Sequence, residues 1–172
     1  MAPSVASPPL LPPADGGGPL APGRILVVCV GNVCRSPMAQ CLLRDRLAGR
    51  GVEVGSAGLA ALVGQPVDPL AESVLADHGL SAASHVARQV DAPMIAAADL
   101  VLVMEKAHIG AVHAQVPAAS GKTFLLGKWL GAVDIPDPFR LKRAQFEHVY
   151  RMIELAVDSW CARMRDGVAS SV

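Results

Sequence analysis

Cys29 and Arg35 stand six places apart in the stretch Val27-Val28-Cys29-Val30-Gly31-Asn32-Val33-Cys34-Arg35-Ser36-Pro37, a thiol and a guanidinium at the two ends of a short loop. The guanidinium is a planar fork that grips two oxygens of a phosphoryl group, and the thiolate is the nucleophilic form of cysteine. The residues between them are of the kind that wrap an anion. Gly31 and Asn32 both tolerate left-handed backbone. Ser36 suits a helix N-cap and Pro37 its first turn. A loop that runs into a helix N-terminus aims the backbone N–H groups of Val30 through Cys34, and the positive end of the helix dipole, at one small volume. Such a field favours a thiolate. The chemistry implied is attack of sulfur on a phosphoryl group.

The spacing alone is weak, because four cysteines and eleven arginines share 172 residues. Context strengthens it. Only Cys29 has an arginine six places on, and it alone lies between a strand-like run and a capped helix. The bland alternative is a buried, inert cysteine closing a core strand.

Phosphoryl transfer to sulfur also needs a proton donor for the leaving oxygen, and then a base for the water that frees the phosphate; one carboxyl group serves both in turn. Asp137, in Asp134-Ile135-Pro136-Asp137-Pro138-Phe139, is braced by two prolines, and Phe139 offers an apolar wall to an aromatic leaving group. The alternative is an ordinary turn aspartate before proline. Asp134 lacks the brace and reads as a solvated residue.

The elements that must hold these groups alternate along the chain, the pattern of a single α/β domain: a four-stranded parallel sheet with helices on both faces. Strands are predicted at 25–30, 52–56, 100–104 and 123–126. Helices are predicted at 36–50, 68–77, 91–98, 105–115 and 143–165, the last with Phe146, Val149, Ile153, Ala156, Val157 and Trp160 on one face. In such sheets ligands bind beyond the carboxyl ends of the strands, where Cys29 falls.

Composition bounds the rest. Residues 1–23 hold seven of the fourteen prolines and a run of three glycines, and read as a disordered tail; 24–165 form the domain and 166–172 a flexible C-terminus. The start lacks the basic and apolar blocks of a secretion signal, and no run is long and apolar enough to enter a membrane. A formal charge of zero argues against a nucleic-acid surface. The cysteines at 29, 34, 41 and 161 have neither disulfide-framework nor zinc spacing, so a reducing, cytoplasmic setting without a metal is expected. His78, His108, His113 and His148 share no ligand spacing and read as surface residues; Cys41 and Cys161 read as core or surface thiols.

Taken together, Cys29–Arg35 with Ser36-Pro37, Ser56-Ala57-Gly58, Ser84-His85-Val86-Ala87-Arg88-Gln89, Met104-Glu105 and Asp137-Pro138-Phe139 resemble the low-molecular-weight protein tyrosine phosphatases, in that family's order. Lys128-Trp129-Leu130 and Ile135-Pro136-Asp137-Pro138 look closest to its bacterial branch serving exopolysaccharide export. The resemblance implies Cys29 as nucleophile, Arg35 as phosphate clamp, Asp137 as acid and base, and Asn32, Ser36, Ser56 and His85 as the polar network behind the loop. It implies that Cys34 can cap Cys29 as a disulfide, that no cofactor is used, and that the partner is a phosphotyrosine protein, a tyrosine autokinase of polysaccharide export. The chain departs from the family at the pocket wall, where Leu59, Phe139 and Arg140 replace larger or hydroxylated rings; an acidic phosphopeptide would suit that rim. Three rivals are weighed. An arsenate reductase of this fold needs resolving cysteines that the stretch between Cys41 and Cys161 lacks. A protein-arginine phosphatase of the fold carries threonine where Val33 stands. A non-catalytic phosphoprotein-binding module would not need Cys29, Arg35 and Asp137 together.

Overall fold

Strand β1, Arg24–Cys29, is buried from Ile25 onward, and its alternate residues feed two different cores. Ile25, Val27 and Cys29 face one side; Leu26 and Val28 face the other. Strand β3, Leu100–Val103, repeats the arrangement with Leu100 and Leu102 against Val101 and Val103. Continuous apolar strands of this kind need cover on both faces, which helices supply. Helices α1 (Arg35–Arg46), α2 (Pro69–Asp77) and α5 (Arg143–Cys161) contribute to the larger core, and α3 (Ala92–Ala97) and α4 (Lys106–Gln115) to the smaller. With β2 (Glu53–Gly58) and β4 (Thr123–Leu125) the sheet order is β2-β1-β3-β4, all parallel. Strand β1 is therefore central, and the chain order reverses beside it, where open α/β sheets leave a crevice for ligands.

This architecture, seen in a computed structural model that describes residues 21–164, is the four-stranded parallel fold expected from the sequence. The expected tail up to residue 20 and the C-terminus at 166–172 lie outside the described residues. Gly23 is already tied to the fold, since its N–H donates to Asp99 Oδ2 at 2.9 Å. Asp68 and Asp91 cap their helices: each carboxylate accepts a backbone N–H of its own helix, from Leu70 and Met94. All six residues predicted to form the apolar face of α5 are buried, and Trp160 Nε1 donates to the Leu126 carbonyl at 2.9 Å.

Several expectations are corrected. Helices α1 and α5 stop earlier than predicted, and two short 3₁₀ turns, Pro117–Gly121 and Lys128–Leu130, interrupt stretches read as loop. His108 is not a surface residue. It lies one turn before Val112 on the sheet-facing side of α4, and both are buried. His113 is half-buried, with its Nε2 enclosed and unpartnered, whereas His78 and His148 are exposed. Among the described residues no helix is long and apolar enough to cross a membrane, and no group of His, Cys, Asp or Glu is placed to hold a metal.

Candidate active site

The loop after β1 is fixed by its carbonyls. Cys29 O accepts from Leu59 N–H, Val30 O from Ala60 N–H and Gly31 O from Leu62 N–H, at 2.9, 3.0 and 3.0 Å. Asn32 O accepts from His85 Nε2 at 2.7 Å, Val33 O from Asp68 N–H at 2.8 Å and Cys34 O from Met38 N–H at 3.2 Å. Six consecutive carbonyls are thus drawn outward by four different segments. No peptide bond here is cis, and in a trans peptide the N–H points opposite to the preceding carbonyl. The N–H groups of Val30 through Arg35 are therefore turned inward, toward Cys29. Asn32 N–H lies 3.3 Å from Cys29 Sγ. Gly58 is needed for the outer contact, because a Cβ there would sit 2.4 Å from Val30 O.

Behind the loop, Asn32 is wholly buried and every polar group it has is used. Its backbone is left-handed, φ 58°, while Gly31 takes no positive φ, so only one of the two residues expected to tolerate that conformation adopts it. Its Nδ2 donates to Ser36 Oγ at 2.7 Å and to Ser56 Oγ at 3.0 Å, and its Oδ1 accepts from Arg88 N–H at 3.0 Å. Ser56 in turn donates to Gln40 Oε1. Ser36 Oγ is 2.9 Å from Cys29 Sγ. With Asn32 donating to it, the serine is free to direct its own proton at the sulfur. Ser36 is thus not the N-cap expected from the sequence: Cys34 occupies that position without a side-chain cap, and Ser36 is the second residue of α1. Burial pushes the His85 imidazole below its ordinary pKa, partly offset by the Asn32 carbonyl. A neutral ring whose Nε2–H donates to Asn32 O fits both facts.

Arg35, only 1% exposed, is the first residue of α1 and points back under the loop. Its Nη1 donates to Glu105 Oε1 and, at 2.8 Å, to the Ile135 carbonyl. Its Nη2 is 3.3 Å from Asp137 Oδ2. Its Nε is buried and, among the described residues, has no hydrogen-bond partner. Burial of an unpaired charged donor is costly unless an acceptor arrives. A cavity of about 130 Å³ lies over these groups, lined by Cys29 through Arg35 and by Ala60, Leu62, Asp137 and Phe139. Its floor is amide and guanidinium, its walls are apolar, and Asp137 stands at its rim.

The sequence-predicted residues Cys29, Val30, Gly31, Asn32, Val33, Cys34, Arg35, Asp137 and Phe139 meet in this cavity, with Ser36, Ser56 and His85 bonded behind it. Leu59 and Arg140 do not line it. Leu59 packs against the smaller core on the other side of the sheet, and its wall position falls to Ala60 and Leu62. Arg140 is exposed, with φ 64° and its guanidinium 5.2 Å from the Phe139 ring. Asp134, read as solvated, accepts the Lys106 N–H at 2.9 Å and pins the start of α4. The sequence reading assigned no role to Gln40, Arg88, Glu105 or the Ile135 carbonyl. Arg88 and Glu105 lay in segments already singled out, and Glu105 carried a further signal, a carboxylate just past the carboxyl end of an apolar strand.

Burial, then Asp68 and Asp137, drive the Cys34 thiol far above its ordinary pKa, so it is a protonated packing group. His108 is lowered by burial against the pull of Glu105; its Nδ1 accepts the Glu105 N–H at 3.3 Å and so helps to aim the carboxylate that holds Arg35.

The low molecular weight protein-tyrosine-phosphatase Etp of Escherichia coli K12 is 49% identical over 140 residues, spanning 81% of this chain and 93% of that protein. The solved structure of Vibrio vulnificus Wzb in complex with benzylphosphonate superposes with a TM-score of 0.79 at 39% identity, covering 82% of this chain and 98% of that one. An arginine phosphatase, YwlE of Geobacillus stearothermophilus, superposes with a TM-score of 0.75 at 36% identity, over 80% and 90% of the two chains. The family model for low molecular weight phosphotyrosine protein phosphatase matches residues 24–170, so the loop, its supports and the Asp137 segment all fall within one known pattern, and the chain belongs to that family.

Proposed function

We propose that this chain hydrolyses phosphotyrosine in two steps, through a phosphocysteine on Cys29. The observation that carries the reading is the loop itself: six outward carbonyls leave six inward N–H groups, and the buried Arg35 Nε joins them without a partner. A phosphoryl group set there has its equatorial oxygens met by amides and by Arg35, with Cys29 Sγ beneath the phosphorus. Sulfur attacks in line as the thiolate. Asp137, in its acid form, passes its proton to the tyrosyl oxygen as the P–O bond breaks. Asp137, now a carboxylate, takes a proton from water, and that water's oxygen displaces Cys29 from phosphorus. Ser36 hydrogen-bonds the sulfur and eases its departure. The positive charge is supplied by Arg35 and the amides, so the steps use no metal.

An aryl leaving group fits the apolar wall of Val33, Ala60, Leu62 and Phe139 better than a guanidinium does. The arginine phosphatase among the similar structures makes phosphoarginine the second reading. The assay that separates them is a panel of phosphotyrosine, phosphoserine and phosphoarginine peptides. Turnover of phosphotyrosine well ahead of the other two is expected; preference for phosphoarginine would overturn the assignment. The protein substrate we infer is a cytoplasmic tyrosine autokinase of exopolysaccharide export, on the strength of the bacterial-branch motifs at Lys128-Trp129-Leu130 and Ile135-Pro136-Asp137-Pro138.

A further inference from the structure

Strand β2 is an outer strand of the sheet, and two arginines cover its free side. Arg44, from α1, donates Nε–H to the Val54 carbonyl at 2.9 Å; Arg88 donates Nε–H to the Ser56 carbonyl, also at 2.9 Å. Each guanidinium is anchored through one atom, and among the described residues neither takes part in an ion pair. Among the described residues their Nη groups make no hydrogen bond. The two anchoring carbonyls lie two residues apart, about 7 Å along the strand. A tetrahedral oxyanion accepting charge-assisted bonds of about 2.8 Å on two of its oxygens spans such an interval.

Arg44 and Arg88, which both also border a larger cavity lined by Glu53 and Met94, line a cavity of about 290 Å³ together with Cys41, Ser84 and His85. It shares no residue with the cavity over Cys29, and no carboxylate lines it. The nearby Glu72 is engaged elsewhere, on Ser81 Oγ and Ala82 N–H. Gly55 leaves room for the arrangement, since a Cβ there would stand 2.9 Å from Arg88 Nη2. The Ser84 hydroxyl has no partner among the described residues.

We propose that this cavity is a second phosphate site, which binds the dianion of orthophosphate or of a phosphate monoester between Arg44 and Arg88. The site is wired to the first. Arg88 N–H holds Asn32 Oδ1 and His85 Nε2 holds Asn32 O, so an anion on Arg88 stiffens the support of the left-handed residue under the catalytic loop. It also reports on itself. Arg88 and Arg44 add to burial in depressing the His85 pKa, and an anion between them cancels that part.

The test follows the arginine Nε–H and His85 ring signals of the full chain by NMR while inorganic phosphate is titrated at constant ionic strength. Saturable shifts of Arg44 and Arg88 are expected, with a rise in the His85 pKa and no response to chloride. Arg44→Gln should abolish the Arg88 and His85 responses, leave the Arg35 Nε titration intact and turn over p-nitrophenyl phosphate at the parental kcat. Arg44→Lys, which keeps the charge but not the fork, should bind more weakly than the parent. Titrating Cys29→Ser with singly and doubly phosphorylated tyrosine peptides separates the sources: a response to free phosphate assigns the free anion, and a response to the doubly phosphorylated peptide alone assigns a monoester carried by a substrate. Arg44 and Arg88 signals that ignore both ligands, or that respond equally in Arg44→Gln, overturn the proposal. Hydrolysis is read separately, so failure here leaves the catalytic reading untouched.

Discussion

The two halves of the active site are built to opposite standards. In the loop Cys29–Arg35 and at the Ser36 that follows it, Asn32 and Ser36 are fully buried, Arg35 is 1% exposed, and every carbonyl from Cys29 to Cys34 has a partner. In the segment that follows β4, Asp137 has 44% of its side chain exposed, and among the described residues its carboxylate meets only Arg35 Nη2 and the Phe139 N–H two residues on, at 3.3 and 3.1 Å. In the proposed function the first region is an anion receptor prepared before the substrate arrives, which is how fixed dipoles stabilise developing charge without reorganising. In the mechanism proposed above the second gives up a proton and takes one back in turn, which burial would hinder. Rigidity sits with the binding of phosphate, and exposure with the proton.

If that division is right, the largest effect comes from removing the sulfur. Cys29→Ser should abolish turnover of aryl phosphates while phosphate and benzylphosphonate still bind, because no carbonyl, amide or guanidinium of the receptor has changed. Steady-state assays and calorimetric titration of the same preparation check both halves of the statement. Residual phosphocysteine-type turnover, or loss of binding, would break the comparison at its firmer side.

Asp137→Asn probes the other side. It should slow phenyl phosphate by about 10²–10⁴-fold, and p-nitrophenyl phosphate far less, because a leaving oxygen that is already a weak base needs no proton. Asp134→Asn should leave the ratio of the two substrates unchanged, since that carboxylate is committed to the Lys106 N–H. Equal losses on both substrates in Asp137→Asn would reduce Asp137 to a partner for Arg35.

How far these regions were readable from residues alone follows the same division. Strands β1 and β3 were legible because a strand buried on both faces is apolar at every position, and the loop was legible because its thiol, its left-handed asparagine and its helix start are local in sequence. The wall was not. Whether Leu59 or Leu62 faces the phosphate depends on how the chain turns after β2, and the register of Leu59 N–H on Cys29 O sends its side chain to the opposite core. Ser36 was legible as part of the network behind the loop but not as a cap: Cys34 takes the cap position, and Ser36, second in α1, meets the sulfur. Gln40 and Arg88 act through tertiary hydrogen bonds, so even the motif Ser84–Gln89 that contains Arg88 gave it no role.

A smaller effect should appear in stability against pH. His85 is lowered from 6.5, so the folded chain binds its proton less readily than the unfolded one. The sign is that of a depressed group: its stabilising contribution is complete above 6.5 and is lost as pH falls through the folded-state value. His85→Gln keeps a donor for Asn32 O without a titration. Thermal melts should show a shallower loss of Tm on acidification than the parent. His108, lowered in the same direction, should supply the slope that remains. Identical slopes in variant and parent would mean that the loop does not depend on a neutral ring at this position.

The smallest effect on turnover is expected at Cys34, and it sharpens the comparison because this residue lies in the rigid half yet takes no part in the chemistry proposed for it. Its sulfur belongs to the larger core and its thiol stays protonated, so Cys34→Ser in reductant should keep nearly all of kcat. Peroxide changes the situation. It oxidises the Cys29 thiolate to sulfenic acid, and the Cys34 thiol can condense with it, forming the S–S bond and releasing water. The buried, protonated state of Cys34 makes that condensation slower than it would be for an exposed thiol, because the thiolate is the attacking form. Protection is therefore expected to be partial: a dithiol should restore most activity to the parent after a mild peroxide pulse, and restoration should fall off at higher doses. Cys34→Ser should recover less at every dose, as Cys29 proceeds to the sulfinic acid. Peptide mapping of the oxidised parent should find a Cys29–Cys34 link. Equal recovery of the two proteins, with no such link, would leave Cys34 as packing for the loop and nothing more.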